Sequence, residues 1–218
     1  MSGTNQSTLI QTHPSLIAIF GAKNPRRVFL YSLPLFIFFA IQAKQDFFSI
    51  TSAPESVGVL SVIAGMGGLL YWSLFEYLVH RYPYHLRFKS ARVRWFIEAF
   101  HLYHHKHLND KRVLNTGPFT LYPLAFVLLS PWGLLMRGSF YFWIFAIALL
   151  SAYVFYEYVH FSIHMKHYEK GYLAYIQRYH LYHHDKAWGK NFGNTSPLWD
   201  KILGTYDAHF QSHRVGEI

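Results

Sequence analysis

GSFYFWIFAIALLSAYVFYEYVHFSIH, residues 138–164, decides how this chain is read. Its first 19 residues, Gly138–Tyr156, carry no charged side chain. That is close to the roughly 20 apolar residues that cross about 30 Å of hydrocarbon. The following turns bring in Glu157, His160 and His164. Residues four apart share one face of a helix, so the stretch reads as a membrane span that ends in a pair of aligned imidazoles.

Three more charge-free stretches lie upstream: Val28–Ala43, Ser56–Phe75 and Val113–Met136, of 16, 20 and 24 residues. The first holds Pro34 and Gln42 and is short. It crosses only if it extends to Ile50 with Lys44 snorkelling to the interface; otherwise it dips and returns. The third holds Pro118, Pro123 and Pro131 and is expected to kink. Composition agrees with a membrane chain. Apolar residues make up 52%, aromatics 20% and charged residues 14% of the 218, whereas a soluble domain carries about 25% charged. Cysteine is absent, which excludes disulfides, thiolate metal sites and a cysteine nucleophile.

Four crossings place residues 1–27, 80–112 and 157–218 on one side of the bilayer, with links near 44–55 and 137 on the other. Of the 20 Lys and Arg, only Lys44 and Arg137 fall at those links. The net charge of +9 is therefore a topology signal, with both termini cytoplasmic, and not a nucleic-acid surface. No secretory signal is visible in residues 1–27. Leu86–Phe100 mixes basic and apolar residues and reads as an amphipathic stretch along the membrane surface. The predicted architecture is all-α and integral to the membrane. About four transmembrane helices form two hairpins in a single domain over 28–218, preceded by a cytoplasmic segment 1–27, and a cytoplasmic helical cap completes it.

The histidines number 15, against 11 Asp and Glu. Ten sit in four clusters: His80 and His85 in HRYPYH; His101, His104 and His105 in HLYHH; His160 and His164 in HFSIH; His180, His183 and His184 in a second HLYHH. Each HLYHH has the i, i+3, i+4 spacing that presents all three rings to one point. His80 and His85, with Pro83 between them, belong to a helix end and the turn after it. Fifteen residues separate His85 from His101, and fifteen separate His164 from His180. Neither interval is long enough to cross and return, and two full spans separate His105 from His160, so all ten converge on the basic side. The layout also repeats. His85 to His164 and His101 to His180 are both 79 residues, which suggests two five-histidine halves that contribute to a shared site. His13, His107, His167, His209 and His213 read as ordinary polar residues.

Ten neutral imidazoles in one place need partners, and metal is the usual one. Catalytic or structural zinc takes about three or four protein ligands, so ten fit two metals better than one. Imidazole suits iron, zinc, copper and nickel alike, so the ligands alone do not name the metal. Glu76 and Glu157 lie one helical turn before His80 and His160, placed to hold imidazole N–H groups or merely to cap a span. Asp185, directly after His184, has the same potential, and Asp200 is placed to brace a ligand or only the fold. Trp72, Phe75, Tyr77, Tyr153, Phe155 and Tyr156 are placed to line a slot beside the histidines, or to serve as belt and core residues.

EYLVHRYPYH, HLYHH, EYVHFSIH, HLYHH and the tail FGNTSPLWDKILGT resemble the fatty acid hydroxylase superfamily, which contains fatty acid 2-hydroxylases and sterol oxidases and desaturases. The resemblance covers roughly residues 70–207. It implies that His80, His85, His101, His104, His105, His160, His164, His180, His183 and His184 hold two metal ions, with iron as the working metal and zinc a further occupant. It implies O2 as co-substrate, hydroxylation of a lipid C–H bond, and a membrane lipid as substrate. The sequence leaves no room for a fused cytochrome b5 domain. Electrons are therefore expected from a separate cytochrome b5-, ferredoxin- or reductase-like donor at the cytoplasmic face of a bacterial inner membrane or endoplasmic reticulum. A desaturase or other oxidase on the same ligands is the alternative reading, and a non-enzymatic metal carrier or sensor is the alternative of another class.

Overall fold

The computed structural model describes residues 19–50, 54–85, 88–97 and 101–213. Four long helices are each apolar enough to cross a bilayer: α1 (Pro25–Phe47), α2 (Pro54–Arg81), and, further along the chain, Pro118–Leu135 and Phe140–Met165. Between them lie two short helices, α3 (Ala91–Ile97) and α4 (Tyr103–Lys106), so the later spans are α5 and α6. Helix α7 (Gly171–Asp185), the short α8 (Leu198–Ile202) and a 3-10 turn at Ala208–Ser212 complete the chain. Among the described residues the β-structure is one pair of two-residue strands, β1 (Gly21–Ala22) and β2 (Asn115–Thr116).

The helix starts follow local chemistry. The Asn24 side chain accepts a hydrogen bond from the Arg27 N–H at 3.2 Å, and Pro25 fills the first helical position, where no N–H is needed. With 23 residues running through Pro34, α1 is long enough to span, which resolves the doubt over the first stretch. Helix α5 starts at Pro118 and continues through Pro123 and Pro131. Arg137 and Gly138 turn the chain into α6 with φ of 52° and 59°. The stretch predicted to lie along the membrane surface, Leu86–Phe100, contains α3 with Arg92 and Val93 exposed and Ile97 buried; its two ends, 86–87 and 98–100, lie outside the described residues. Most of the N-terminal segment, residues 1–18, also lies outside them.

Helix α6 is the central element, with 12 of its 26 residues buried. Lipid tails are as apolar as leucine, so helices in a bilayer associate through close packing at small residues. Gly67 and Gly68 of α2 provide that approach. A Cβ on Gly68 would collide with the Phe145 carbonyl oxygen and stand 3.0 Å from the Leu149 nitrogen. At one end of the bundle the Trp143 indole N–H donates to Asp46 at 2.7 Å, and the Phe47 and Phe140 rings lie 5.5 Å apart. The ends of α1 and the start of α6 thus share that level, as four alternating crossings require.

At the other end, α7 folds back over α6. Buried Gln177 fixes the join: its amide donates to the Ile163 carbonyl at 2.7 Å, and its oxygen accepts from the Tyr168 N–H at 3.0 Å. Phe210 of the 3-10 turn packs edge-on against Tyr175 and Tyr179, 5.2 and 5.0 Å away. Strand β1 ties the N-terminal region to the loop before α5. A Cβ on Gly117 would meet the Gly21 carbonyl at 2.8 Å, so glycine is required there.

Gly68→Ala should therefore lower stability by about 1–3 kcal/mol through overpacking, read as a lower melting temperature in detergent. Gly58→Ala, with nothing within 4 Å of its added Cβ, should not. Equal melting of the two variants would mean that α2 and α6 do not meet in this way.

Candidate metal centre

His80 lies in the last turn of α2 and His85 in the turn after it. His101, His104 and His105 lie in and just before α4, His160 and His164 in the last turns of α6, and His180, His183 and His184 in the last turns of α7. All ten come together, in two adjacent groups. His104, His160, His164, His180 and His184 form one; His80, His85, His101 and His105 form the other, with each group's ligand nitrogens within 4.8 Å of one another. His183 joins the second group, its ring 4.6 Å from His80 and 4.9 Å from His85.

This partition corrects the expectation that each HLYHH aims three rings at one point. His101 and His105 serve one group while His104 serves the other; His180 and His184 serve one while His183 serves the other. The reason is angular. At about 100° per residue, positions i and i+4 differ by only ~40°, while i+3 lies ~60° to the other side. Each half of the chain therefore keeps four histidines and sends one across. The groups nearly touch, the His105 and His184 rings being 4.0 Å apart.

Within each group the ring nitrogens converge. His101 Nε2 stands 3.1 and 3.0 Å from the Nε2 atoms of His85 and His105. His180 Nε2 stands 2.9 Å from those of both His164 and His184. A carbonyl only accepts, so the backbone partners fix three tautomers. His80 Nδ1–H donates to the Phe192 carbonyl, His160 Nδ1–H to Leu114 at 3.0 Å and His183 Nδ1–H to Lys190 at 2.7 Å. The opposite Nε2 atoms of His80 and His183 are buried without a partner, as are both nitrogens of His104. Burial, reinforced by the His183 ring, pushes the His85 imidazole down to about 3, and burial pushes His183 down to about 4. His101, His104, His180 and His184 are also held well below the usual histidine range, first by burial and then by their neighbours. Neutral rings with unused, inward lone pairs are a metal-ligating donor set, and leaving them unpaired is costly. The two groups are able to hold metal ions.

Glu76 and Glu157, read from the sequence as holding imidazole N–H groups or capping a span, have their hydrogen bonds on two loops instead. The carbonyls of those loops accept from the imidazoles. Glu157 accepts from Asn115 Nδ2 at 2.7 Å, the Thr116 N–H at 3.1 Å and Thr116 Oγ1 at 2.6 Å, next to the Leu114 carbonyl that receives His160. Glu76 accepts from the Asn194 and Thr195 N–H groups at 2.7 and 2.9 Å and from Thr195 Oγ1 at 2.8 Å, two residues past the Phe192 carbonyl that receives His80. Asp200 is a second brace on that loop, accepting from the Phe192 and Gly193 N–H groups at 2.9 and 2.8 Å. Asp185 plays no such part. One residue past His184 it has rotated to solvent, where it pairs with Lys186 at 3.2 Å.

The Asn-Thr pairs were missed in the sequence, although their signal was present. Asn115-Thr116-Gly117-Pro118 and Asn194-Thr195-Ser196-Pro197 are separated by the same 79 residues as the histidine motifs. Trp188 was missed as well. Its half-exposed indole lies 4.8 Å from the His105 ring and donates to the His184 carbonyl at 2.7 Å, closing the outer side of both groups.

A cavity of about 540 Å³ opens beside the histidines. Its wall includes His101 of one group and His104 and His160 of the other, with Tyr84, Tyr156 and Ile97. Tyr84 stacks on His101 at 4.3 Å and Tyr156 is parallel to His160 at 5.7 Å. Of the aromatic residues expected to line a slot, only Tyr156 does so here. Trp72 and Tyr153 are core, Tyr77 bonds Thr205 at 2.8 Å, and Phe155 faces a separate groove along α1 and α6.

Replacing Glu157 or Glu76 with Gln, or Asn115 with Ala, should weaken metal retention about 10–100-fold, the usual effect of loosening a ligand's support. Metal content after dialysis against a graded chelator measures this, with Asp185→Ala as the variant that stays at wild type. Full retention in all three variants would remove the clamping role of the loops.

A model of the fatty acid hydroxylase family matches residues 65–205. A dihydroceramide fatty acyl 2-hydroxylase of Arabidopsis thaliana is 34% identical over 140 residues, covering 63% of this chain and 58% of the relative. The ceramide very long chain fatty acid hydroxylase scs7 of Schizosaccharomyces pombe is 32% identical over 165 residues, 72% of this chain and 45% of the relative. A solved structure of full-length scs7p, in which only the hydroxylase domain is visible, matches with a TM-score of 0.60 and 26% identity, over 82% of this chain and 65% of that one. The chain thus spans less than two thirds of the length of each of these proteins. The matched stretch contains every histidine of both groups and both clamped loops, and the chain belongs to the fatty acid hydroxylase family.

Proposed function

We propose that the protein is a membrane-bound, O2-dependent hydroxylase that inserts oxygen into an acyl C–H bond, in the manner of a fatty acid 2-hydroxylase. The observation that carries this reading is the cavity of about 540 Å³ whose wall is shared by both histidine groups. Its volume is in the range of small-molecule sites and its lining is mostly apolar. The family model and the names of the relatives point the same way.

The ten histidines are the proposed ligands of two iron ions, five to each. When bound, the iron pair supplies O2 activation and oxidation of an unactivated C–H bond. The chain's own residues do the rest. Phe192, Leu114 and Lys190 carbonyls hold His80, His160 and His183 in the tautomer that turns Nε2 inward. Tyr84 and Tyr156 flank the histidine wall, fix its ring planes and keep that side of the cavity apolar. Electrons come from a separate one-electron carrier protein. The basic side of the bundle, which carries the histidines, faces the cytoplasm, as the placement of Lys44 and Arg137 at the opposite links supports.

Lipid mass spectrometry on cells expressing wild type or His104→Ala, with a competent electron donor, tests this. The expected result is a lipid heavier by one oxygen in the wild type, with turnover by His104→Ala at background and its four spans intact. Loss of two hydrogens would assign the site to a desaturase. Wild-type product from His104→Ala would overturn the site assignment.

A further inference from the structure

The cavity has one cation among the described residues of its wall, Arg92 at the start of α3. Arg92 is exposed at the rim, and no described side chain or carbonyl bonds or pairs with its guanidinium. Two other polar side chains of the wall are committed elsewhere. Glu157 has its carboxylate turned to Asn115 and Thr116, and Thr120 Oγ1 donates to the Phe20 carbonyl at 3.1 Å. The nearby basic residue Arg112, by contrast, is committed to Asp110 at 2.6 Å and lies outside the wall. An apolar chamber with, among the described residues, one guanidinium at its mouth and imidazoles on its wall is asymmetric in one useful way. It offers a fork of donors to planar or tetrahedral anionic oxygens and apolar surface to whatever hydrocarbon follows.

Resting on the hydroxylase reading above, we infer that Arg92 selects an acyl substrate whose head group carries anionic oxygens, a carboxylate or a phosphate, and holds it at the cavity mouth. A chamber of about 540 Å³, within the usual range of small-molecule sites, would be about 10 Å across if spherical. A head group bound by Arg92 therefore leaves just the first carbons of the chain level with His101, His104 and His160. This places the reacting position near the head group. It also separates the chain from the two relatives whose names specify ceramides, since a ceramide head is a neutral amide and gives a guanidinium no anion to pair with.

The test is equilibrium binding to the purified full chain in nanodiscs, with empty nanodiscs subtracted. The probes are radiolabelled palmitate, hexadecyl phosphate and hexadecanol, which share a chain and differ in charge. At least one anion should bind about tenfold or more tightly than hexadecanol, the usual worth of a charge-assisted bond; the tighter of the two names the head group. Arg92→Gln should abolish that preference without changing hexadecanol affinity or melting temperature, and Arg92→Lys should keep part of it. Lys111→Gln, an exposed cation outside the wall, should leave all three affinities alone. No preference for either anion in the wild type, or an undiminished preference in Arg92→Gln, overturns the inference. Binding and turnover separate the two readings. Turnover by the wild type with equal binding of anion and alcohol would leave the hydroxylase standing and remove the role of Arg92, whereas charge-selective binding with no turnover would do the reverse.

Discussion

Everything in this protein depends on keeping ten imidazoles neutral, aimed and close together at the edge of a bilayer. Rings at nitrogen separations of about 3 Å would repel strongly if protonated, and burial removes the water that would screen them. Neutrality solves the repulsion but creates a second demand, because each ring must be told which nitrogen keeps its proton. The chain answers with backbone carbonyls, at Phe192, Leu114 and Lys190. A carbonyl on a loose loop would be a poor reference point. Hence the glutamates: each takes three donors from an Asn-Thr loop and pins that loop to the span carrying the histidine. A carboxyl group this deeply buried is tolerated only when so fully bonded, so the loop satisfies the glutamate as much as the glutamate holds the loop.

The clamps also explain the repeat. Each half supplies a span ending in Glu and His, an HLYHH turn and an Asn-Thr-x-Pro loop, the last two at the same 79-residue offset. The exchange of His104 and His183 between groups ties the halves together, since neither five-ring group is complete without the other half. A half on its own would have four ligands and a buried imidazole with nowhere to point. Such an exchange makes the two sites one unit, in keeping with the 4.0 Å approach of His105 and His184.

Much of this was legible in the sequence because it is written in strong, local terms. Runs such as Gly138–Tyr156 and Ser56–Phe75 lack charge over a bilayer's thickness, and the structure makes helices of them. The HLYHH and HX3H spacings put the right residues together for the reason given, helical periodicity. What was not legible was directional. Spacing says that i+3 and i+4 are neighbours, but not that a second acceptor group lies on the i+3 side, so the split of each HLYHH stayed hidden. Glu157 is one turn from His160, yet a helix side chain leans toward its own N-terminus, away from the following histidine and toward the loop at Asn115. Asp185 fails for the same kind of reason, its position past His184 having turned to solvent. The Asn-Thr loops carry no periodicity of their own, and only the 79-residue offset marks them.

The two copies of the clamp are not used alike. The loop at Leu114–Thr116 is paired with strand β1 and forms part of the cavity wall, together with Phe20 and Gly21. The loop at Phe192–Thr195 is braced by Asp200 and Thr205 instead and does not reach the cavity. One copy therefore serves only to hold a ligand, while the other holds a ligand and shapes the chamber in front of it. Substitutions in the first loop that widen the chamber also move the carbonyl that fixes His160, so chamber shape and ligand geometry are coupled on that side alone. The same coupling gives the site its direction. The chamber opens against His104 and His160 of one group and His101 of the other, backed by a wall that is already rigid for another reason, and Trp188 and the doubly braced tail lie outside its lining.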